Sequence, residues 1–156
     1  MNLKRIDWKA LIFFLVYTLG LGGVSALLGG NFSLDALTSP PLAPPAWLFP
    51  VVWTVLYTLM AVAAYLVYTS GDVARREPLP LYLLQVVVNV LWPLFFFRLE
   101  WRLFAFVWLL VLIALVVSVF KGFHPISPTA AYLLIPYLAW LVFAAYLNLG
   151  YYVLNG

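Results

Sequence analysis

The sequence contains no cysteine and very little charge, and both scarcities limit what the chain can be. Without cysteine it can form no disulfide, thiolate metal site, iron–sulfur cluster or cysteine nucleophile. Only 8% of the residues are charged, against about 25% in soluble domains, and 67% are hydrophobic. Five acids, eight bases and one histidine cannot cover a water-exposed surface, so we predict that lipid surrounds most side chains. The dispersed Lys and Arg are typical of membrane-helix ends rather than of nucleic-acid binding.

Stretches without ionisable residues divide the chain into five predicted spans. A hydrocarbon core about 30 Å thick needs about 20 helical residues. The stretches close to this length are 10–28, 46–70, 78–97, 103–120 and 129–154. Apolar runs such as 108–117 lack the alternation of a transmembrane barrel. We therefore predict an all-α membrane protein with a single domain, a bundle of five transmembrane helices, in which the long link 29–45 is a candidate lid.

The basic residues are distributed unevenly between the links. With five spans, only Arg98 and Arg102 lie on one side of the membrane, and six lie on the other: Lys4, Arg5, Lys9, Arg75, Arg76 and Lys121. Basic residues are enriched in cytoplasmic loops, which predicts a cytoplasmic amino terminus and an outside carboxyl terminus.

The first span could instead be a secretory signal, because basic residues precede it. However, Thr18, Gly22, Ala26 and Gly30 form a row of small side chains at four-residue spacing. Such a row lets another helix approach closely, which favours a retained helix that packs internally or forms a dimer contact.

Aromatic and polar residues inside the spans mark a candidate binding region. Trp53, Trp92 and Trp140 lie several residues inside spans, where an indole N–H needs a partner, whereas Trp8, Trp101, Tyr151 and Tyr152 fit an interfacial belt. Trp53 shares its helix face with Tyr57.

Gln85 and Asn89 are the strongest polar residues of the third span. Together with Trp92 they follow at i, i+4 and i+7 and so share one helix face. Because polar faces in lipid turn inward, two roles stay open for Gln85 and Asn89: hydrogen bonding between helices, or lining a ligand cavity.

Prolines inside spans predict irregular helices. Pro50, Pro93 and Pro136 would each free a carbonyl one turn earlier and kink the helix. Three kinked helices predict an interior that is not simply close-packed.

The sequence offers little for an ordinary enzyme. The predicted spans hold no paired carboxylates, histidine cluster or buried acid or base, and His124 lies in a link. This argues against acid–base catalysis, a resident metal and ion-coupled transport.

Three segments of the chain carry a family resemblance: residues 44–57 read PPAWLFPVVWTVLY, residues 85–97 read QVVVNVLWPLFFF, and residues 135–148 read IPYLAWLVFAAYLN. They resemble, in turn, the second helix, the third helix and the last-helix signature of the translocator protein/tryptophan-rich sensory protein family, also called the peripheral-type benzodiazepine receptor family. The order and spacing of these segments agree with the family over nearly the whole chain.

The resemblance implies a five-helix bundle, often a homodimer, whose pocket beneath the first loop binds porphyrins and synthetic isoquinoline or benzodiazepine ligands. Trp53 and Trp140 match pocket tryptophans that some members use in light-dependent porphyrin breakdown, where they would be the catalytic residues. Further matches to pocket positions are Asn89, Trp92, Phe143, Ala144 and Leu147. No required cofactor is implied, because the tetrapyrrole is the ligand.

This sequence departs from the family at several places. Leu34 and Leu42 stand near positions that are commonly aromatic, which bears on the lid contacts. Trp108 stands where many members have an acid. Sterols bind some members, but the sterol motif is incomplete here because no Lys or Arg follows Tyr151 and Tyr152.

Three functional hypotheses follow. The first is a membrane protein that binds porphyrins or similar flat apolar ligands as a sensor, carrier or scavenger. The second is a light-dependent porphyrin-degrading enzyme. The third is a non-enzymatic assembly or regulatory partner in the membrane.

Overall fold

The computed structural model describes residues 5–30 and 33–156. Of the basic residues behind the orientation prediction, Lys4 lies outside the described residues, as do the side chains of Arg75 and Arg76. The terminus orientation stays a prediction.

Six α-helices make up the described chain, and no strand occurs within these ranges. They are α1 (Trp8–Gly29), α2 (Leu48–Thr69), α3 (Pro78–Pro93), α4 (Arg102–Phe123), α5 (Pro128–Leu133) and α6 (Ile135–Asn155). A π-helical turn, Leu94–Arg98, continues α3, and short 3₁₀ turns occupy Leu34–Ala36 and Val73–Arg76. Five helical stretches are long and apolar enough to cross a membrane, with α3 including its π turn and α5 joined to α6. The predicted all-α, five-span architecture is confirmed.

Polar side chains cap the first turns of α1 and α5. Asp7 precedes α1 and its carboxylate accepts a hydrogen bond from the Ala10 N–H at 3.1 Å. Ser127 precedes α5, and its hydroxyl accepts from the Ala130 N–H at 3.3 Å. These caps satisfy N–H groups that have no partner within a helix.

The helices form a ring in which α2 has few direct contacts with α3 and α6. Helix α1 packs against α2 and α3, α4 packs against α3 and α6, and α5 returns to α2. Fully buried apolar side chains fill much of the centre, among them Met60, Val86, Leu112 and Leu141. Because α1 bridges α2 and α3, space is left between these helices and α6.

The prolines lie at helix ends rather than at mid-helix kinks. Pro50 is the third residue of α2, where an N–H would have no helical partner, so the kink expected there is wrong. Pro136 is the second residue of α6, just after the helix is interrupted at Leu134. Pro93 ends α3, and the following turn is π-helical, with the Leu99 N–H bonded to the Leu94 carbonyl at 2.9 Å.

The small-residue row on α1 makes internal contacts. The hydroxyls of Thr18 and Tyr82 are hydrogen-bonded at 2.6 Å, which joins α1 to α3. At Gly22 a Cβ would lie 2.6 Å from the Tyr57 ring, so this glycine allows α2 to approach. Tyr151, expected in the aromatic belt, is instead 4% exposed.

We predict that Gly22→Ile destabilises the bundle because its side chain collides with the Tyr57 ring. Overpacking of this kind costs about 1 to 3 kcal/mol, so the thermal midpoint in detergent should fall. Gly20→Ile is the matched control, since Gly20 is exposed and a Cβ there meets no atom within 4 Å. Equal midpoints for the two variants would contradict the proposed packing.

Candidate binding cavity

A cavity of about 670 Å³ lies between α1, α2, α3 and α6. Its volume is in the range of small-molecule and cofactor sites, about 300 to 1,000 Å³. The first loop and the end of α3 border one end of it. The lining residues are Leu19, Gly22, Gly23, Ser25, Ala26, Gly29, Gly30, Ser33, Leu34, Asp35, Ala46, Phe49, Pro50, Trp53, Thr54, Tyr57, Asn89, Trp92, Pro93, Phe97, Trp140 and Ala144.

One wall of the cavity consists largely of residues without long side chains. They recur on α1 at helical spacing: Gly22, Gly23, Ala26, Gly29 and Gly30. At Gly23 a Cβ would meet no atom within 4 Å, so the space beside it is open. The cavity therefore exists partly because this face of α1 has no side chains to fill it.

Aromatic rings form the second wall. Trp53 and Tyr57 are stacked, with ring centroids 5.4 Å apart and planes inclined by 30°. Trp140 stands perpendicular to Trp53 at 6.5 Å, and Phe49 lies 5.9 Å from Trp140. The Trp140 indole N–H is buried and has no hydrogen-bond partner among the described residues.

A buried hydrogen-bonded network lies next to these rings. The Tyr57 hydroxyl donates to Asn89 Oδ1 at 3.4 Å, and Asn89 Nδ2 donates to the Tyr137 hydroxyl at 2.6 Å. Tyr137 in turn donates to Gln85 Oε1 at 3.0 Å. The network joins α2, α3 and α6, and it brings the polar atoms of Tyr57 and Asn89 to the cavity.

A second polar connection secures the loop-side end of α3. The indole Nε1 of Trp92 donates to Asn148 Oδ1 at 2.9 Å. Asn148 Nδ2 donates to the Arg102 carbonyl at 2.7 Å, which links α3, α6 and α4. This partner fixes the Trp92 ring, which lines the cavity.

The first loop is anchored on α6. Asn155 makes two hydrogen bonds with the backbone of Thr38, accepting from its N–H at 2.8 Å and donating to its carbonyl at 2.9 Å. The Tyr146 hydroxyl donates to the Pro41 carbonyl at 2.6 Å. At Gly150 a Cβ would lie 2.6 Å from Pro40 Cβ, so the loop packs directly on the helix backbone. The loop is thereby held across the end of the bundle.

Six of the nine predicted ligand-binding residues line the cavity and three do not. Trp53, Tyr57, Asn89, Trp92, Trp140 and Ala144 line it. Gln85 is buried behind Asn89 in the hydrogen-bonded network. Phe143 packs against the Trp140 ring at 5.5 Å, and Leu147 is buried in a second apolar cluster. A ligand-binding role for these residues stays a prediction.

Several residues that line the cavity are absent from the predicted ligand-binding set, although Thr54 shares the predicted helix face near Trp53. Phe49, Thr54 and Ser25 face the cavity, and Asp35 reaches it from the first loop. Thr54 and Phe49 follow helical spacing with Trp53 and Tyr57 closely enough to have been found, whereas Asp35 carried no such signal. Within residues 5–30 and 33–156 no group of three or more His, Asp or Glu side chains could hold a metal ion.

Comparison with known proteins agrees with this architecture. The model of the TspO/MBR family matches residues 10–154. The chain belongs to that family. This membership and the five apolar helices make it an integral, multi-pass membrane protein.

The chain matches relatives from bacteria, fungi and mammals over most of their length. The chain is 35% identical to the tryptophan-rich protein TspO of Chlorobaculum tepidum, covering 97% of this chain and 98% of the relative. It is 41% identical to the translocator protein homolog of Schizosaccharomyces pombe, over 74% and 73%. For the sheep translocator protein the identity is 38%, over 83% and 79%. The resemblance found in the sequence is therefore confirmed for this TspO/MBR family member.

We predict that Asn89→Leu lowers stability as well as changing the cavity. Leucine would leave the Tyr57 hydroxyl without its acceptor and the Tyr137 hydroxyl without its donor. An unsatisfied buried polar group costs about 1 to 3 kcal/mol. Denaturant unfolding in detergent should show this loss.

A double-mutant cycle provides the control. Tyr137→Phe should cost less in the Asn89→Leu background than in the parent, because the network is already broken. Strict additivity of the two changes would show that the network does not act as a unit.

Proposed function

We propose that the cavity binds a porphyrin or a similar flat apolar ligand, and that the protein acts as a sensor, carrier or scavenger of it. The observation that carries this proposal is the shape of the cavity. The Tyr57 ring packs on Gly22, whereas the Trp53 ring and the open space beside Gly23 line the same cavity. An aromatic wall and a side-chain-poor wall with open space beside them suit a planar molecule.

The chemistry of the walls supports the same ligand class. Indole and phenol rings stack on flat apolar rings and provide large contact areas. The Tyr57 hydroxyl and the Asn89 amide supply a few polar groups within an apolar lining, which is the usual composition of a small-molecule site. Isoquinoline and benzodiazepine compounds, which are smaller and contain fused aromatic rings, are proposed to compete for this space.

A second candidate function is light-dependent porphyrin breakdown. In this proposal a ring bound in the slot lies against the indoles of Trp53 and Trp140, with dioxygen as the oxidant. The stacking of Trp53 on Tyr57 favours it, because a tyrosine in contact is a source of an electron for an oxidised indole. Trp53 and Trp140 would then be the catalytic residues.

The third candidate, a role in assembly without a ligand, is the alternative that the binding experiment decides. A homodimer is the proposed assembly. Its interface would be apolar, because the spans contain no mid-span ion pair to drive association.

The binding test fills the slot from its side-chain-poor wall. Gly23→Leu should abolish or strongly weaken protoporphyrin IX binding to the purified protein, measured as quenching of tryptophan fluorescence, because leucine occupies the open space beside Gly23. Gly20→Leu is the matched control on the same helix, outside the cavity lining. Equal affinity for both variants would place the ligand elsewhere, and no binding by the parent would favour the assembly role.

The aromatic test separates binding from breakdown. Trp53→Phe and Trp140→Phe should each weaken binding up to about tenfold, since an aromatic contact is worth about 0.5 to 1.5 kcal/mol beyond its area. If the protein degrades porphyrin, light-dependent loss of the porphyrin absorbance band should fall far more than affinity does. Spectra that are stable in light for the parent would reject the photo-enzyme, and unchanged binding and bleaching in both variants would make these tryptophans structural.

A further inference from the structure

The guanidinium of Arg98 lies at the rim of the cavity. Arg98 is the last residue of the π-helical turn Leu94–Arg98, directly after Phe97, which lines the cavity. A Cβ at Gly30 would lie 3.6 Å from Arg98 Nη2 and 3.8 Å from Nε. Because Gly30 also lines the cavity and directly follows α1, the guanidinium is placed where α1 meets the end of α3.

Arg98 has no acidic partner among the residues that the structure describes. Its side chain is exposed and forms no salt bridge with any described residue. The neighbouring Arg102 is different, because it pairs with Glu100 at 3.8 Å and donates to the main-chain oxygen of Gly156 at 3.1 Å. Of these two described bases, Arg98 is the exposed one and can reach an outside anion, whereas Arg102 is buried.

An acid also lies at the cavity. Asp35 lines it from the first loop, and its carboxylate accepts a hydrogen bond from the Ser33 hydroxyl at 2.9 Å. This neutral donor leaves the carboxylate its negative charge, so the rim combines one carboxylate and one guanidinium that form no salt bridge with each other, above an apolar slot.

We infer that Arg98 selects ligands that carry a carboxylate at the edge of a flat apolar ring. This inference rests on the proposed function and adds the class of ligand. With the ring in the slot, an acidic substituent pointing to the rim meets the guanidinium, whose planar fork binds carboxylates through two parallel hydrogen bonds. Arg98 thus distinguishes acidic tetrapyrroles from neutral ones of the same shape.

The test compares protoporphyrin IX, which has two carboxylates, with its dimethyl ester, which has none. The parent should bind the diacid about five- to tenfold more tightly than the ester, and Arg98→Gln should remove this preference by weakening only the diacid. Arg98→Lys should keep part of the preference. Asp35→Asn should have the opposite sign and tighten diacid binding without affecting the ester.

Arg5→Gln is the matched control. It removes the same charge at the opposite end of the bundle. The N–H of nearby Asp7 is hydrogen-bonded to the Tyr65 hydroxyl, at the end of α2 that is far from the rim. Equal losses in Arg5→Gln and Arg98→Gln would reveal a general charge effect and overturn the inference.

The two levels of the proposal fail in different ways. If the parent binds neither compound, the proposed function is wrong and the role of Arg98 with it. If the parent binds both compounds and Arg98→Gln changes neither affinity, or weakens both equally, binding stands but Arg98 does not recognise the carboxylate.

Discussion

Three buried hydrogen bonds connect helices that otherwise have few contacts, and the cavity depends on them. Tyr57 on α2, Asn89 on α3 and Tyr137 on α6 meet at one point, and Gln85 completes the chain of bonds. In a membrane no water replaces such bonds, so polar side chains within the spans need each other. The network joins the three helices at one level of the bundle, and the helices are farther apart on the side of the cavity.

The cavity beside this network is bounded by different structural features on its different sides. Helix α1 contributes a face with little side-chain volume, and α2 and α6 contribute rings that contact one another at their edges. The first loop is fixed to α6 through Asn155 and Tyr146, although it connects α1 to α2. The loop therefore crosses the end of the bundle instead of taking the short way between its own helices, and this path puts Asp35 at the cavity.

The number and positions of the spans could be predicted because the charged residues are confined to the links. Charged side chains are too costly to place in the hydrocarbon core. The site was partly predictable for a related reason: Trp53, Asn89 and Trp140 are polar or amphipathic groups that cannot face hydrocarbon. The sequence did not show which polar residues reach the cavity. Gln85 and Asn89 share a helix face, and they differ only in their position along the helix. Contacts between distant segments, such as Tyr137 with Asn89 or Asp35 with the cavity, leave no periodic signal, and Tyr151 at a span end gave no sign that it is buried.

The side-chain-poor face of α1 also affects how the bundle moves. Glycine in a helix costs about 0.5 to 1 kcal/mol relative to alanine through backbone entropy, and α1 has four: Gly20, Gly22, Gly23 and Gly29. It is also the least buried of the five spans. In the membrane lipid covers that exposed face, so low burial there means contact with lipid and not access to water. The wall that leaves room for a planar molecule is therefore also a wall of low intrinsic helix stability, so the shape of the cavity and the ease of deforming its wall have one origin.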